Sequence, residues 1–307
     1  MHSLCPESLI PGSLKIRQYH ELAYPSVDFG CVFRKNHLGL LLGIGPAPIV
    51  LPSFMESGKK AYFVSDSHLG VPDRAGSLFR ERELVRWLRS VSSDASSIYI
   101  LGDVFDFWFE YSTVVPKGFV RLLGTLAEIT DSGIPVHYFT GNHDMWAFGY
   151  FEEELGLIMH RHPEEIRIGE KTFFMGHGDG LGPGDRGYKL LKSVFGCRTC
   201  QRLFSYIHPG LGVRLAMMLS KRSRAANDKH KEEFLEEDKE WLLAYCKQMQ
   251  KNRPVDYFVF GHRHLPLDVE VAPGVRYVNT GDWVRYFSYA VFDGKELKLK
   301  RHDPARA

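Results

Sequence analysis

Five short segments of the chain place carboxylate, imidazole and amide side chains at spacings that suit a metal ion. The segments are Asp66-Ser67-His68, Gly102-Asp103-Val104-Phe105-Asp106, Gly141-Asn142-His143-Asp144, Gly176-His177 and Gly261-His262-Arg263-His264. Donors of these three kinds together suit Mn²⁺, Fe²⁺ or Zn²⁺. Because strand side chains repeat with a period of two, both side chains of a D-x-H or H-x-H unit point to the same side. One histidine beside an apolar run is more often structural, but five such segments in succession indicate a metal centre.

Each segment follows a short apolar run of the kind that forms a buried strand. The runs are AYFVSD (61–66), SIYILGD (97–103), VHYFTGN (136–142), TFFMGH (172–177) and DYFVFGH (256–262). Two more strands are predicted at 276–282 and 288–293, and helices at 77–91 and 119–131. This alternation predicts an α/β architecture. Because ligands collect at the carboxyl ends of strands in such sheets, we expect the five segments to converge on one edge.

Two regions depart from this pattern. Residues 186–250 contain helical patterns without a clear strand and a basic patch at Lys221, Arg222 and Arg224, which predicts a helical insertion that caps the site edge. Residues 1–54 show no sustained period and carry several Gly and Pro residues. We expect them to form a poorly ordered N-terminal extension before a catalytic domain at 55–307. The alternative is an ordinary N-terminal arm packed on that domain.

Composition narrows the classes of partner and compartment. The net charge is +2, from 39 basic and 37 acidic residues in a chain of 307, so no nucleic-acid partner is expected. Five cysteines at scattered positions do not form a disulfide framework, which favours a reducing cytoplasm. Cys197 and Cys200 form a lone CxxC without the second ligand pair of a structural zinc site. The apolar stretch 38–54 contains three prolines, so any membrane contact is expected to be peripheral.

Taken together, the series D-x-H, GD-x-x-D, GNHD, GH and GH-x-H resembles the calcineurin-like metallophosphoesterases over about residues 61–293. The resemblance implies a four-layer αββα sandwich with two divalent metal ions, expected to be Mn²⁺, at its edge. It assigns Asp66, His68 and His264 to the first metal, Asn142, His177 and His262 to the second, and Asp103 to a bridge between them. It also implies that His143 contacts the phosphate or protonates the leaving group, together with Asn142, and that Asp144 orients His143. The alternative for His143 is a structural role behind the ligands.

The segment YILGDVFDFWFEY (99–111) holds a second acid and several aromatic residues. Asp106 lies three residues after Asp103 and has no place in the seven-ligand set, so we expect it to support the site rather than to ligate. For the aromatic residues 107–109 and 111 the sequence allows packing between loop and sheet, or one wall of a substrate cleft. Packing is the interpretation we favour for most of them.

Segments around the predicted ligands narrow the range of expected substrates. FVSDSHLG, LGDVFDFW and GNHDMW resemble the branch of the superfamily that contains UDP-2,3-diacylglucosamine hydrolase, a lipid A pathway enzyme. In that branch the matching polar substrate contacts are Asp185, Tyr188, Ser223 and Asn227. Apolar residues of the helical insertion would line an acyl-chain groove or form the insertion's own core. They are Val194, Phe195, Phe204, Leu215, Met217, Met218 and Leu219.

The reaction implied by this branch is hydrolysis of the pyrophosphate bond of UDP-2,3-diacylglucosamine to UMP and 2,3-diacylglucosamine 1-phosphate. The enzyme would work in the cytoplasm as a peripheral protein of the inner membrane. One position departs from the branch, because its best-known members carry Arg where this chain has His143. The alternative function is therefore a metallophosphoesterase that acts on another nucleotide or phosphodiester. The sequence leaves the oligomeric state open.

Overall fold

A computed structural model of the chain describes residues 56–182, 186–227 and 240–305, without the side chains of residue 186 and of residues 221–227. The strands are β1 (Lys60–Val64), β2 (Ala95–Ile100), β3 (Val136–Phe139), β4 (Ile158–His160), β5 (Glu164–Ile168), β6 (Lys171–Gly176), β7 (Tyr257–Phe260), β8 (Pro266–Ala272), β9 (Val275–Thr280), β10 (Ser288–Phe292) and β11 (Leu297–Arg301). The helices are α1 (Arg74–Val91), α2 (Val120–Asp131), α3 (Tyr150–Glu153), α4 (Arg186–Gly196), α5 (Arg198–Ser205), α6 (Pro209–Asn227) and α7 (Trp241–Asn252). The predicted 1–54 extension lies outside the described residues.

The strands form two mixed sheets. The first has the order β11-β10-β1-β2-β3-β4 and the second the order β5-β6-β7-β9-β8. Strands β1 to β4 run parallel to one another in the first sheet, and β6, β7 and β9 run parallel in the second. The carboxyl ends of β1, β2 and β3 therefore meet at one edge of the first sheet, as those of β6 and β7 do in the second. The predicted ligand segments follow these five strands.

Side-chain alternation along the strands builds the layers. Tyr62 and Val64 of β1 pack with α1 and α2 on the outer face of the first sheet. Ala61 and Phe63, which alternate with these two residues along β1, face the second sheet and its Phe173. Because every second side chain of a strand shares a face, one strand supplies two cores.

The outer face of the second sheet is covered by α7. Its Leu242, Leu243 and Cys246 are fully buried and pack with Phe258 and Phe260 of β7. The order of layers is thus helices, sheet, sheet, helix, and the predicted αββα sandwich is confirmed. Within the predicted 186–250 insertion, α7 belongs to this outer layer, whereas α4 and α5 are mostly exposed. In the described part of the chain, no helix combines the length and apolar character needed to cross a membrane.

Two aromatic residues, Phe109 of the 99–111 segment and Trp146, connect the two-sheet core to the α4–α6 segment. The ring of Phe204 in α5 lies 4.8 Å from those of Phe109 and Trp146, measured between centroids. The Trp146 indole also donates a hydrogen bond to the Phe195 carbonyl at 2.8 Å. Phe105, which belongs to the same 99–111 segment, points away from the α4–α6 segment and into the core beneath α2. The aromatic residues of this stretch therefore pack, as expected. Some of them pack into the core of the first sheet, and others pack against the α4–α6 segment.

Candidate metal centre

The loops that follow β1 and β2 are hydrogen-bonded to each other beyond the ends of the strands. The His68 amide donates to the Asp103 carbonyl at 3.0 Å, and the Leu69 amide donates to the Val104 carbonyl at 2.8 Å. The Asp106 amide then donates back to the Leu69 carbonyl at 2.9 Å. Parallel pairing thus continues past the sheet edge, and it fixes the backbone that carries the first two predicted ligand segments.

Five predicted ligands sit in the left-handed region of backbone conformation. Their φ angles are 54° for Asp66, 41° for His68, 53° for Asp103, 65° for His262 and 57° for His264. This conformation costs a non-glycine residue about 1–3 kcal/mol, and it is found mainly where function requires it. The strain is therefore concentrated on the residues whose side chains must turn into the site.

Two glycines make room for neighbouring ligands. A β-carbon on Gly141 would lie 2.6 Å from the Asp103 amide nitrogen and 2.8 Å from the Asp103 carboxyl carbon. A β-carbon on Gly261 would lie 2.5 Å from Asp66 Oδ2. Real β-carbons do not approach other atoms so closely, so these positions require glycine because the ligand carboxylates occupy the space.

One group of donors consists of Asp66, His68 and His264. The Nε2 atoms of His68 and His264 are 3.1 Å apart, and Asp66 Oδ1 lies 3.3 Å from the second and 3.7 Å from the first. Asp66 Oδ1 is buried and has no hydrogen-bond partner among the described residues. A buried carboxylate oxygen needs a positive partner. Three donors that converge on one point in this way fit a divalent cation.

A second group consists of Asp103, His177 and His262. Asp103 Oδ2 lies 3.1 Å from His177 Nε2, and His262 Nδ1 lies 3.2 Å from the same nitrogen. Asn142 Oδ1 is also 3.2 Å from His177 Nε2. The amide oxygen, the carboxylate and two imidazoles thus form a donor set of the same chemical kind as the first.

Asp103 lies between the two groups. Its Oδ2 atom is 3.1 Å from His177 Nε2 on one side and 3.8 Å from His68 Nε2 on the other. Its Oδ1 atom accepts a hydrogen bond from the His143 amide at 2.8 Å. One oxygen of Asp103 is therefore adjacent to both groups, which is a suitable position for a bridging ligand.

Neighbouring groups fix the orientation of three imidazoles. His177 Nδ1 donates to the Leu101 carbonyl at 2.7 Å, which leaves Nε2 directed at the cluster. His264 Nδ1 faces Asp282 Oδ2 at 3.3 Å, and His68 Nδ1 faces Asp106 Oδ1 at 3.4 Å. A carboxylate or carbonyl behind an imidazole holds its orientation and raises its basicity. Asp282 also stabilises the turn that follows it, because its Oδ1 accepts a hydrogen bond from the amide of Arg285 at 2.8 Å.

The site carries strong, mutually dependent charges. Burial raises the pKa of Asp103, but the facing His177, His143 and His68 together outweigh burial and hold that pKa well below its usual range. Burial raises the pKa of Asp66 as well, but His264, His68 and His177 together outweigh burial and lower it. Burial lowers the pKa of His177, but Asp103 reverses this and raises it to about 10. The carboxylates thus favour a positive charge at this point, which is the charge that divalent cations supply.

His143 and Asp144 are held differently from each other. His143 Nδ1 donates to the Asp106 carbonyl at 2.9 Å. The Asp144 carboxylate accepts from Val104 N at 2.9 Å, Gly141 N at 2.7 Å and Tyr138 Oη at 2.5 Å. Burial and the nearby Asp103 raise the pKa of Asp144 to about 6. The predicted orienting partner of His143 is Asp144, but in the structure Asp106 makes this contact and Asp144 fixes the loop backbone.

The predicted substrate contacts lie in or beside the α4–α6 segment. Tyr188 donates a hydrogen bond to Asp179 Oδ2 at 2.6 Å, and its ring centroid is 6.4 Å from that of His262. Asp185 and the side chains of Ser223 and Asn227 lie outside the described residues. Sequence reasoning missed Asp179, although it stands two residues after His177 at a strand end, the spacing used elsewhere to find ligands.

The comparisons with known proteins agree with this geometry. The calcineurin-like phosphoesterase family profile matches residues 59–266. The chain belongs to the calcineurin-like phosphoesterase family. As a member of this family it is a metal-dependent phosphoesterase, and the predicted family is confirmed.

Two relatives of this phosphoesterase carry the name UDP-2,3-diacylglucosamine hydrolase. The protein from Porphyromonas gingivalis is 38% identical over 253 residues, which are 78% of this chain and 97% of that protein. The protein from Hamiltonella defensa is 29% identical over 207 residues, 66% of this chain and 76% of that protein. Among solved structures, the phosphoesterase Yfce from E. coli aligns at a TM-score of 0.41 and 16% identity over 80% of this chain and 93% of its own.

Proposed function

We propose that the protein hydrolyses the pyrophosphate bond of UDP-2,3-diacylglucosamine and releases UMP and 2,3-diacylglucosamine 1-phosphate, as a step of lipid A biosynthesis. The observation that carries the proposal is the shared position of Asp103 between two donor groups in a chain that spans 97% of a relative with that name. The name supports the substrate, and the donor geometry supports chemistry at a phosphorus atom.

Two divalent cations, for which we propose Mn²⁺, would neutralise phosphoryl charge and make water more acidic when bound. The proposed ligands are Asp66, His68 and His264 for one cation, Asn142, His177 and His262 for the other, and Asp103 for both. All are carboxylate, imidazole or amide groups, which suit this class of metal. An amide cannot replace Asp103, because a bridge between two cations has to be an anion.

His143 is the proposed proton donor. Its Nδ1 atom donates to the Asp106 carbonyl at 2.9 Å, so the proton that it exchanges in the reaction would be carried on Nε2. Ser220 of α6 donates to Asp106 Oδ2 at 3.0 Å and so helps to hold this arrangement. We propose that Nε2 contacts a phosphoryl oxygen of the substrate and protonates the departing group, whereas Asp144 keeps the backbone of the loop in place.

The α4–α6 segment supports a lipid substrate at a membrane surface. Several large apolar side chains of this segment are more than half exposed, namely Leu190, Leu203, Tyr206, Leu211, Met218 and Leu219. Exposed apolar groups flanked by basic residues suit an anionic lipid surface. We propose that this segment covers the acyl chains and rests on the cytoplasmic face of the inner membrane.

The test compares two substrates with one protein. Mn²⁺-loaded enzyme is incubated with UDP-2,3-diacylglucosamine and, separately, with bis(p-nitrophenyl) phosphate, and UMP release and nitrophenol release are followed. We expect both Asp103→Ala and Asp103→Asn to abolish turnover, whereas Asp131→Asn, at an exposed position in α2, should leave it unchanged. Cleavage of only the second substrate would replace the proposal with its alternative, a phosphoesterase for another nucleotide or phosphodiester. Full activity of Asp103→Asn would refute the bridging role.

A further inference from the structure

A cavity of about 550 Å³ lies beside the metal centre, where α1 and α2 begin. Its size falls within the range of small-ligand sites, roughly 300–1,000 Å³. The wall includes the loop residue Gly70 and the first residues of both helices. None of the predicted metal ligands lines it, and neither do Asn142, His143 and Tyr188, the predicted substrate contacts that the structure describes.

The cavity shares a wall with the catalytic loops. Gly70 follows His68 by two residues, and its amide donates to Ser77 Oγ at 2.8 Å. A β-carbon on Gly70 would lie 3.8 Å from Phe119 Cζ, 3.9 Å from Asp106 Cβ and 3.7 Å from Met217 Cε. A ligand in the cavity would therefore contact Gly70, which belongs to the same loop as His68 and packs against Asp106.

Positive charge surrounds the opening. Arg74, Lys117 and Arg121 line the cavity with exposed side chains. Across residues 56–182, 186–227 and 240–305, none of the three forms an ion pair with another described side chain. Three cations that converge without an acidic partner are suited to a phosphate, since Arg and Lys are the usual donors to that group.

An aromatic ring and a carboxylate complete the wall. Phe119 precedes α2 with φ at 57°, a conformation that is an outlier for a bulky residue and that points to a functional constraint. Glu81 is 4% exposed, and its Oε1 accepts from the amides of Arg121 at 3.0 Å and Leu122 at 3.3 Å. In the described part of the chain no hydrogen bond reaches Glu81 Oε2, so this oxygen is placed to accept from a hydroxyl group on the cavity side.

We propose that this cavity binds the nucleoside monophosphate half of the substrate. The inference rests on the proposed function, because it assigns one half of that substrate. An aromatic ring suits a base, Glu81 suits the ribose hydroxyls and the cations suit the phosphate. On another side of the centre Tyr188 of α4 lies beside His262, and the exposed apolar side chains of α4 and α5 suit the acylated sugar. A pyrophosphate that lies across Asp103 would send its two halves to these two sides.

The test measures nucleotide binding and catalysis with the same variants. In the Mn²⁺-loaded protein, the Lys117→Gln, Arg121→Gln double variant should raise the Kd for UMP and the KM for UDP-2,3-diacylglucosamine about tenfold or more, with kcat within twofold. Arg82→Gln is the matched control, because Arg82 is exposed on α1 outside the cavity. Phe119→Leu keeps an apolar side chain on the same backbone, so it should weaken UMP several-fold but leave inhibition by inorganic phosphate unchanged.

The outcomes separate this inference from the proposed function. If the wild-type protein binds UMP and the double variant does not, but neither cleaves the lipid substrate, the subsite stands and the proposed function fails. If the lipid substrate is cleaved and the double variant keeps the wild-type Kd and KM, the subsite is overturned. The subsite is also overturned if the variants keep the wild-type affinity for UMP but their KM changes with the acyl-chain length of the substrate. The cavity would then hold the lipid half.

Discussion

Gly141→Ala tests whether the metal centre depends on close approach of two backbone loops. Gly141 follows β3 and faces the loop that carries Asp103. A β-carbon at this position would lie 2.6 Å from the Asp103 amide nitrogen and 2.8 Å from the Asp103 carboxyl carbon. Ordinary contacts of a methyl group begin at about 3.4–4.0 Å. One of the two loops must therefore move by roughly 0.6–1.4 Å, and the Asp103 loop is already hydrogen-bonded to the loop of His68.

A displacement of this size should be felt in catalysis more than in folding. A misplacement of about 1 Å in a catalytic group costs about 100-fold in rate. Since Asp103 is the proposed bridge, both cations should also bind less tightly. We expect kcat/KM to fall at least about 100-fold and the bound metal to fall below two equivalents. Overpacking typically costs about 1–3 kcal/mol, so the domain should still fold.

The chain contains a matched control for this substitution. Gly124 lies in α2, and a β-carbon there would meet nothing within 4 Å. Gly124→Ala should therefore raise the free energy of unfolding by up to about 1 kcal/mol and leave activity unchanged. Hydrolysis rates, metal content by elemental analysis and urea unfolding would be measured for both variants. Wild-type activity and metal content in Gly141→Ala would refute the argument that the glycine exists to admit the bridging carboxylate.

Two further predictions concern groups behind the ligands. Asp106→Asn should lower kcat/KM about 10–100-fold and shift its pH profile while the fold persists, because the change removes the charge beside His143; an unchanged pH profile would count against this role. Burial and the neighbouring His160 lower the pKa of His137 to about 4, below the value of about 6.5 in the unfolded chain. The unfolded state then binds more protons between these values, so the group's stabilising contribution is complete above about pH 6.5 and is lost as the pH falls towards 4, by up to about 3 kcal/mol. His137→Phe should flatten this pH dependence in urea unfolding of the metal-free protein, whereas the exposed control His162→Phe should not; equal pH dependence in all three proteins would contradict it.

The sequence predicted the central strands and missed the edges. The described residues contain four strands that the apolar runs did not indicate, and these are β4, β5, β8 and β11, the end strands of the two sheets. Most of their side chains are exposed or half-buried, and β5 and β11 read EEIRI and LKLKR. Edge strands carry charge to prevent pairing with other chains, so their hydrophobic signal is weak for a physical reason. Central strands are covered on both faces, so their sequences are continuous apolar runs that can be recognised.

The convergence of the site could be predicted because it follows from strand ends, but the pairing of each supporting group with a particular imidazole could not. Each proposed ligand stands next to a recognisable strand in the sequence. The contact of Asp282 with His264, and of Asp106 with His143, joins residues from different loops. Only the folded chain decides which carboxylate reaches which imidazole. This is also why Asp144, adjacent to His143 in sequence, was expected to orient it and instead bonds the backbone at Val104 and Gly141.

One short loop joins the metal centre, the core and the α4–α6 segment. Asp103 lies between the two donor groups, Phe105 is fully buried in the core, and Phe109 packs on the ring of Phe204. Asp106 holds His143 through its carbonyl and accepts from Ser220 of α6 through its carboxylate. Ser220 Oγ also lies 3.4 Å from His143 Nδ1, so a movement of α6 would reach the proposed proton donor directly and through Asp106. Substrate that settles between α6 and the centre would act on catalysis through the same residue, which gives the second acid of this loop a function distinct from that of the first.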